Sequence, residues 1–334
     1  MADYGDLLDA ATRAVGAACA LCRQVQGNMG QMRAILKDDR SPVTIADFGA
    51  QALVGHILRE RLGDPVHMVG EETSAFLRNP ENGTALAATL VAVQEVWPEA
   101  GETGLLDAID VGAGDTDHEG FWTLDPIDGT KGFLRGGQYA VSLAYIERGQ
   151  VVVAAMGCPN LSPRFDDPFD RPHRHGCLYS AIRGQGTHEV PADQPLAHPV
   201  KLLRARREEG QPLTLCTSVE EAHSSQERTA EVMARVGRVG EPAKLDSQAK
   251  YAVVARGQAD AYLRIPTKAE YAEYIWDHAA GALIAMEAGC AVTDIDGKPL
   301  DFSAGRRLTG NRGILAGMVR EHGLIQGAIR GLGI

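Results

Sequence analysis

A chain of two lobes, the second of α/β type, is predicted by three observations. Its 334 residues exceed one ordinary domain and suit about two, at roughly 150 residues each. The first half opens with helical periodicities and continues into a strand pair. The second half alternates short strands and helices, the pattern of α/β layering. Hydrophobic residues make up 44% and charged residues 23%, ordinary values for a globular protein, which exclude disordered, collagenous and disulfide-scaffold classes.

From Tyr4 to Gln26 apolar residues recur at spacings of three and four (Leu7, Leu8, Ala11, Val15, Ala18, Cys19, Cys22), which predicts an amphipathic helix. Ser41-Pro42-Val43-Thr44 punctuates the chain, and Ile45 to Leu62 reads as a second helix with Thr44 as its N-cap. Val66 to Val69 is a short strand that stops at Gly70-Glu71-Glu72, so two glutamates stand where a strand leaves the core. Between Arg78 and Glu119 a helical stretch, Ala85 to Val96, is joined to a Gly- and Asp-rich loop. Phe121 to Leu124 is a strand ending in Asp125-Pro126-Ile127-Asp128-Gly129-Thr130. Ala140 to Ile146 and Val151 to Met156 are paired strands, with Arg148-Gly149 as the tight hairpin between them. A Pro-, Asp- and His-rich stretch after Cys158-Pro159-Asn160 marks the lobe boundary, giving lobes 1–160 and 161–334. Beyond it, strands and helices alternate over Leu213 to Thr217, Ala222 to Val236, Ser247 to Ala255, Ala261 to Leu263 and Asp277 to Ala288.

Charge and cysteine usage narrow the function classes. The 33 Lys and Arg against 44 Asp and Glu leave a net charge of -11, which argues against nucleic acid or an anionic membrane as partner. An anionic substrate would then need local bases to offset the field. The six scattered cysteines suit reduced thiols, and hence a cytoplasmic location, better than a disulfide framework. Cys19 and Cys22 form a C-x-x-C, but they share one face of an alanine-rich helix and no second pair follows at zinc-ligand spacing, so they read as buried helix cysteines. Asp3, Asp6 and Asp9 precede the first base, Arg13, so no secretory or transit peptide is expected. Val151 to Cys158, the longest apolar run, is far too short to span a bilayer.

The segment richest in chemistry is Asp125 to Thr130. Two carboxylates three residues apart bracket a proline-stiffened turn and can face one point. Hard divalent cations such as Mg²⁺ take several oxygen ligands, usually one or two carboxylates with carbonyls, waters and substrate phosphate. The Ile127 carbonyl is a further candidate oxygen, and Gly129 and Thr130 can bring backbone N–H groups to an anion at a helix start. The same hexapeptide is also an ordinary turn sequence. Further acidic positions are Glu71-Glu72, Asp47 and Asp277 in Trp276-Asp277-His278-Ala279-Ala280-Gly281. Asp277 also reads as an N-cap, and Asp47 as a first-turn carboxylate on a helix dipole.

Gly70-Glu71-Glu72, the Asp125 to Thr130 hexapeptide and the Trp276 to Gly281 segment resemble, in that order, the signature segments of the Mg²⁺-dependent, lithium-sensitive phosphatase superfamily that includes inositol monophosphatase. Five further segments resemble its 3'(2'),5'-bisphosphate nucleotidase branch: Lys37 to Asp47, Lys131 to Gly136, Gly157 to Leu161, Ser247 to Tyr251 and Tyr262-Leu263-Arg264. The similarity runs from about Lys37 to about Ala316. It implies a layered α-β-α-β-α sugar-phosphatase fold, with an α+β first lobe, an α/β second lobe and the site between them. It also implies that Glu71, Asp125, the Ile127 carbonyl, Asp128 and Asp277 ligate two or three Mg²⁺, while Asp47, Thr130 and Glu71 orient or deprotonate the attacking water. Lithium inhibition is expected as a family trait.

The resemblance further implies a nucleotide substrate, bound by Gly129, Thr130, His223, Ser247, Lys250 and Arg264. Lys250 and Arg264 would neutralise the second phosphate, Ser247 would donate to it, and His223 would bond ribose or phosphate. On residues alone, Lys250 and Arg264 read rather as solvated element ends, and His223 as a helix N-terminal residue. The expected reaction is removal of the 3'-phosphate of 3'-phosphoadenosine 5'-phosphate, with the 5'-phosphosulfate analogue as a second candidate substrate. The nearest enzymatic alternative is an inositol mono- or polyphosphate phosphatase. A nucleotide-binding regulatory protein on the same fold would need a broken acidic set, whereas Glu71, Asp125, Asp128, Thr130 and Asp277 are all present. The chain departs from the family pattern in the loops Arg78 to Glu119 and Ser162 to Pro199. His173 and His175 in the second loop are spaced as solvated residues, not as a helical metal pair, and Lys201 to Arg207 reads as a solvated basic run.

Overall fold

The computed structural model describes residues 3–29, 42–202, 210–219, 225–237, 239–268 and 270–334. His223, the stretch from Lys37 to Ser41 and the basic run from Leu203 onward lie outside these residues. Helix α1 (Tyr4–Gly27) is capped by Asp3, whose side chain accepts from the Gly5 N–H at 2.9 Å. Cys19 and Cys22 are buried on it, and all six cysteines are free. Helix α2 (Pro42–Leu62) starts earlier than the sequence suggests. Proline fixes φ near the helical value and is favoured at the first position, so Thr44 lies inside the first turn and is not the N-cap. Asp47 accordingly lies beyond that turn.

α1 and α2 pack on each other and on one face of a seven-stranded sheet, burying Val15, Cys22, Leu53 and Leu58 against Leu124, Val141 and Val153. The strands, in spatial as well as chain order, are β1 (Met68–Gly70), β2 (Gly120–Asp128), β3 (Ala140–Glu147), β4 (Gln150–Cys158), β5 (Cys177–Ile182), β6 (Gly186–Pro191) and β7 (Val200–Lys201). β1 is parallel to β2 and the remaining pairs are antiparallel. The predicted hairpin is present: Glu147 faces Gln150, and Arg148 and Gly149 have φ of 50° and 74°, the double positive φ of a type I′ turn. Three helices, α3 (Ala75–Arg78), α4 (Gly83–Gln94) and α5 (Glu102–Ile109), fill the segment read as one helix and a loop. The expected division at residue 160 does not coincide with a change of sheet, because β5 to β7 extend the first sheet to Lys201. β5 pairs along β4 and buries all six of its side chains there.

After the short helix α6 (Thr130–Leu134) on the first lobe, the second lobe adds helices α7 (Gln226–Val236), α8 (Ala249–Arg256), α9 (Ala279–Glu287) and α10 (Val319–Leu332). Its strands are β8 (Leu215–Thr217), β9 (Ala243–Lys244), β10 (Ala261–Arg264), β11 (Cys290–Thr293) and β12 (Ile314–Met318), in the order β11-β12-β10-β8-β9. Alternation along these strands serves two cores, since successive strand side chains point to opposite faces. Cys216, Tyr262 and Ala316 face α8 and α9, which also cover Ala154, Met156 and Tyr179 of the first sheet. Leu215, Leu263 and Leu315 face Val232 and Met233 of α7 and Ile325 and Ile329 of α10. The layers are therefore α1/α2, the seven-stranded sheet, α8/α9, the five-stranded sheet and α7/α10, the α-β-α-β-α order expected.

Candidate active site

A cleft of about 400 Å³ opens where β1, β2, β10 and the starts of α8 and α9 meet. β1 ends at Gly70 and delivers Glu71 to it. β2 does not stop at Leu124, as the sequence suggests, but runs on through Asp128. Asp125 pairs with Ser142 and Asp128 with Ala140, so three steps on β2 oppose two on β3. This extra residue is a bulge, a position where Pro126, lacking an N–H, costs the ladder nothing. The bulge, rather than a turn after the strand, places Asp125, the Ile127 carbonyl and Asp128 on the cleft wall.

The chain then turns at Gly129, whose φ of 86° is left-handed. A Cβ at Gly129 would stand 2.9 Å from the Ser247 Cβ, so only glycine fits on both counts. Ser247 itself has φ 71°, a strained value for a residue with a side chain, of the kind that clusters at functional sites. Next to it, Gln248 joins three parts of the site. Its backbone N–H donates to Asp128 Oδ2 at 2.6 Å, its side-chain amide donates to the Trp276 carbonyl at 2.8 Å, and its Oε1 accepts from the Gly281 N–H at 3.0 Å. Gln248 thus ties the bulge to the segment carrying Asp277. Arg135, just after α6, pairs with Asp246 and closes the same seam.

The carboxylates repel one another. Burial, then Glu71, Asp128, Asp277 and Asp47, hold the Asp125 carboxyl well above the usual carboxylate range. Asp125 is 3% exposed, and its Oδ1 is buried with no hydrogen-bond partner. Asp277 is likewise held well above its ordinary value by burial and by Asp128. Desolvation in the cleft, with Glu72 and Asp128 adding repulsion, pushes Glu71 up to about 7. Desolvation also raises Asp128, although Lys250, the Gln248 N–H, His278 and Arg264 pull it down. Asp47 on α2 does not line the cleft. Burial and the charges of Glu72 and Glu71 raise it well above the carboxylate range.

Lys250 is buried and Arg264 half-buried, so neither is the solvated end that the sequence left open. Lys250 is 4% exposed, and its Nζ makes one long contact to the Leu245 carbonyl at 3.5 Å, 5.2 Å from the Tyr262 ring centroid. Arg264, at the end of β10, gives Nε to Glu273 Oε1 at 2.7 Å. Glu273 Oε2 faces His278 Nε2 at 3.5 Å, and His278 Nδ1 meets the Tyr251 hydroxyl at 2.9 Å. Oxygen and nitrogen atoms of Glu273, Asp277 and His278 lie within 4.8 Å of one another, but Arg264 already neutralises Glu273.

The structure therefore brings Glu71, Asp125, Ile127, Asp128, Gly129, Thr130, Ser247, Lys250, Arg264 and Asp277 to one cleft. Asp277 is not an N-cap: His278 holds the cap position of α9 and makes no side-chain cap bond. The Thr130 hydroxyl lies 3.4 Å from the Ile127 carbonyl. Sequence reasoning missed the supports Gln248, Asp246, Glu273 and Tyr251. Gln248 and Tyr251 stand inside the Ser247 to Tyr251 segment, whose resemblance is the signal that points to them. Glu273 carries no local signal. The His175 ring meets Asp193 at 2.6 Å on the far loop and takes no part.

A model of the inositol monophosphatase family matches residues 39–326. The 3'(2'),5'-bisphosphate nucleotidase of Schizosaccharomyces pombe is 44% identical over 295 residues, covering 85% of this chain and 82% of its own length. A protein of the same description from Oryza sativa is 38% identical over 326 residues, covering 94% of this chain and 90% of its own length. Among solved structures, the extragenic suppressor protein SuhB of Bartonella henselae has a TM-score of 0.63 at 18% identity, covering 97% of this chain and 98% of that one. CysQ of Bacteroides thetaiotaomicron has a TM-score of 0.59 at 20% identity, covering 93% and 96%. At such identities the likeness is one of fold.

Proposed function

Because this chain belongs to the inositol monophosphatase family, we propose that it is a phosphatase that removes the 3'-phosphate of 3'-phosphoadenosine 5'-phosphate, giving AMP and phosphate. The observation that carries this reading is the convergence, in one cleft, of Glu71, Asp125, Asp128 and Asp277 with Ser247, Lys250 and Arg264. The 37–44% identity to nucleotidases supports the choice of substrate.

The donor set fits a hard divalent cation. Asp125 Oδ1 is buried without a partner, all the candidate ligands are oxygens, and their mutual repulsion is what a cation relieves. Glu71, Asp125, the Ile127 carbonyl, Asp128 and Asp277 would hold Mg²⁺, and the number of ions expected from the resemblance is two or three. When bound, Mg²⁺ supplies a more acidic water and charge neutralisation on the transferring phosphoryl group. Glu71, pushed up to about 7 in the metal-free protein, would be held ionised by a bound cation, and its part in deprotonating the water rests on the family resemblance. The weak Thr130 to Ile127 bond of 3.4 Å leaves the hydroxyl free to orient a water. The part of Asp47 beside it rests on the family resemblance, as does that of His223.

Lys250 has donors to spare and lies close enough to Asp128 to lower its pKa, so a substrate phosphate would complete its bonding. Arg264 gives Nε to Glu273, lies beside the Tyr262 hydroxyl and lines the cleft, where its guanidinium charge would meet an anionic substrate, while Ser247 contributes a short donor. These bases supply the local offset that a chain of net charge -11 requires for an anionic substrate. Six free, buried cysteines favour a reducing compartment, the cytoplasm. No helix among the described residues is long and apolar enough to cross a membrane. The test is phosphate release from 3'-phosphoadenosine 5'-phosphate, from its phosphosulfate analogue and from inositol 1-phosphate. Release confined to the inositol ester would refute the substrate assignment.

A further inference from the structure

Arg306 stands in the loop between β11 and β12, outside every motif read from the sequence. Its Nη2 donates to the Gly70 carbonyl at 3.0 Å and its Nη1 to the Gly114 carbonyl at 3.4 Å. Its Cζ lies 5.0 Å from the centroid of the Trp276 ring, and its backbone carbonyl accepts from the Ile275 N–H at 3.1 Å. One side chain therefore grips the peptide immediately before Glu71 and the ring immediately before Asp277, two segments from opposite lobes. Arg307 braces the second of these: its Nη1 donates to the Ala272 carbonyl at 2.7 Å, and its Cζ lies 3.7 Å from the Tyr274 ring centroid. Tyr274 in turn stacks on Trp276 at 4.4 Å.

We propose that Arg306 is a positioning residue that sets the separation of Glu71 and Asp277 across the cleft, and so the affinity of the cation site. This rests on the reading of those two carboxylates as metal ligands. A planar, multidentate guanidinium suits the task, because it bonds two carbonyls and lies on an aromatic face at once. Glu71 and Asp277 line one cleft from opposite lobes, and Arg306 ties the backbone of one to the ring beside the other. Arg306 is exposed, and its removal opens no core.

The test is calorimetric titration of Mg²⁺ into the full chain and its Arg306→Ala and Arg306→Lys variants, beside thermal unfolding in EDTA. Residues that orient metal ligands typically change affinity by 10- to 100-fold, and Arg306 acts through a backbone carbonyl, so about a 10-fold loss is expected for Arg306→Ala. Arg306→Lys should recover part of it, since an ammonium can reach the Gly70 carbonyl but cannot lie flat on Trp276. Unfolding in EDTA should be unchanged within about 2 °C, and KM for the nucleotide should be unchanged at saturating Mg²⁺. Wild-type Mg²⁺ affinity in Arg306→Ala, with or without a lower unfolding temperature, would overturn the proposal while leaving the site reading intact. No Mg²⁺ binding by the wild-type chain would overturn both.

Discussion

Replacing Glu71 by glutamine should stabilise the metal-free protein and destabilise it, relative to wild type, once Mg²⁺ is present. In the cleft, desolvation and the charges of Glu72 and Asp128 lift Glu71 from an ordinary 4.5 to about 7. The native state thus binds a proton that the unfolded chain has released, so stability falls as pH rises from about 4.5 to about 7. Converted at 1.36 kcal/mol per tenfold change in proton affinity, the difference is about 3 kcal/mol. Glu71 is an exposed residue at the cleft mouth, so solvent screening reduces this to about 1–2 kcal/mol. Glutamine copies the protonated form, and Glu71→Gln should therefore gain about 1–2 kcal/mol over wild type at pH 8 in EDTA and nothing at pH 4.5. With Mg²⁺ at one hundred times its dissociation constant, wild type gains about 2.7 kcal/mol that the variant largely forgoes, and the order inverts. Thermal unfolding at the two pH values, with EDTA and with Mg²⁺, reads all four states. A variant less stable than wild type in EDTA at pH 8, or an equal difference at both pH values, would refute the crowded-carboxylate account.

Asp128→Asn should abolish turnover, by about a thousandfold or more, because the site loses a charge that the cation and Lys250 both meet; unchanged Mg²⁺-dependent turnover would remove Asp128 from the site. Arg264→Ala should raise KM for the nucleotide more than it lowers kcat. It should also destabilise the fold by about 3 kcal/mol, since Glu273, 4% exposed at its side chain, is left as a buried, uncompensated carboxylate. An unaltered KM would count against Arg264 as a substrate contact. Gly129→Ala forces a left-handed residue and pushes on Ser247, where the new Cβ would stand at 2.9 Å. Calorimetry should show about 2 kcal/mol of lost stability, and kinetics a weakened nucleotide affinity as the segment holding Gln248 shifts.

The parts of this molecule that were legible in the sequence are those governed by local rules. Helical periodicity located α1, the Arg148-Gly149 dipeptide between two apolar runs located the hairpin, and the acidic motifs located the metal-ligand candidates. Where a local rule had two outcomes, the sequence could not choose. Asp125 to Asp128 satisfies the preferences of a turn and of a bulge, and pairing with β3 decided for the bulge. Lys250 suits both a solvated end and a buried cleft, and the packing of α8 between two sheets decided for burial. Contacts between distant segments left no local trace at all. Arg306 meets Gly70 across 236 positions of sequence and Gln248 meets Asp128 across 120.

The most direct test of the central claim is phosphate release from 3'-phosphoadenosine 5'-phosphate by the purified chain with Mg²⁺, repeated with EDTA and with lithium, beside inositol 1-phosphate. Rapid release from the nucleotide that EDTA abolishes and lithium inhibits is the predicted result. Release that persists in EDTA, or that is seen only from the inositol ester, would contradict the account.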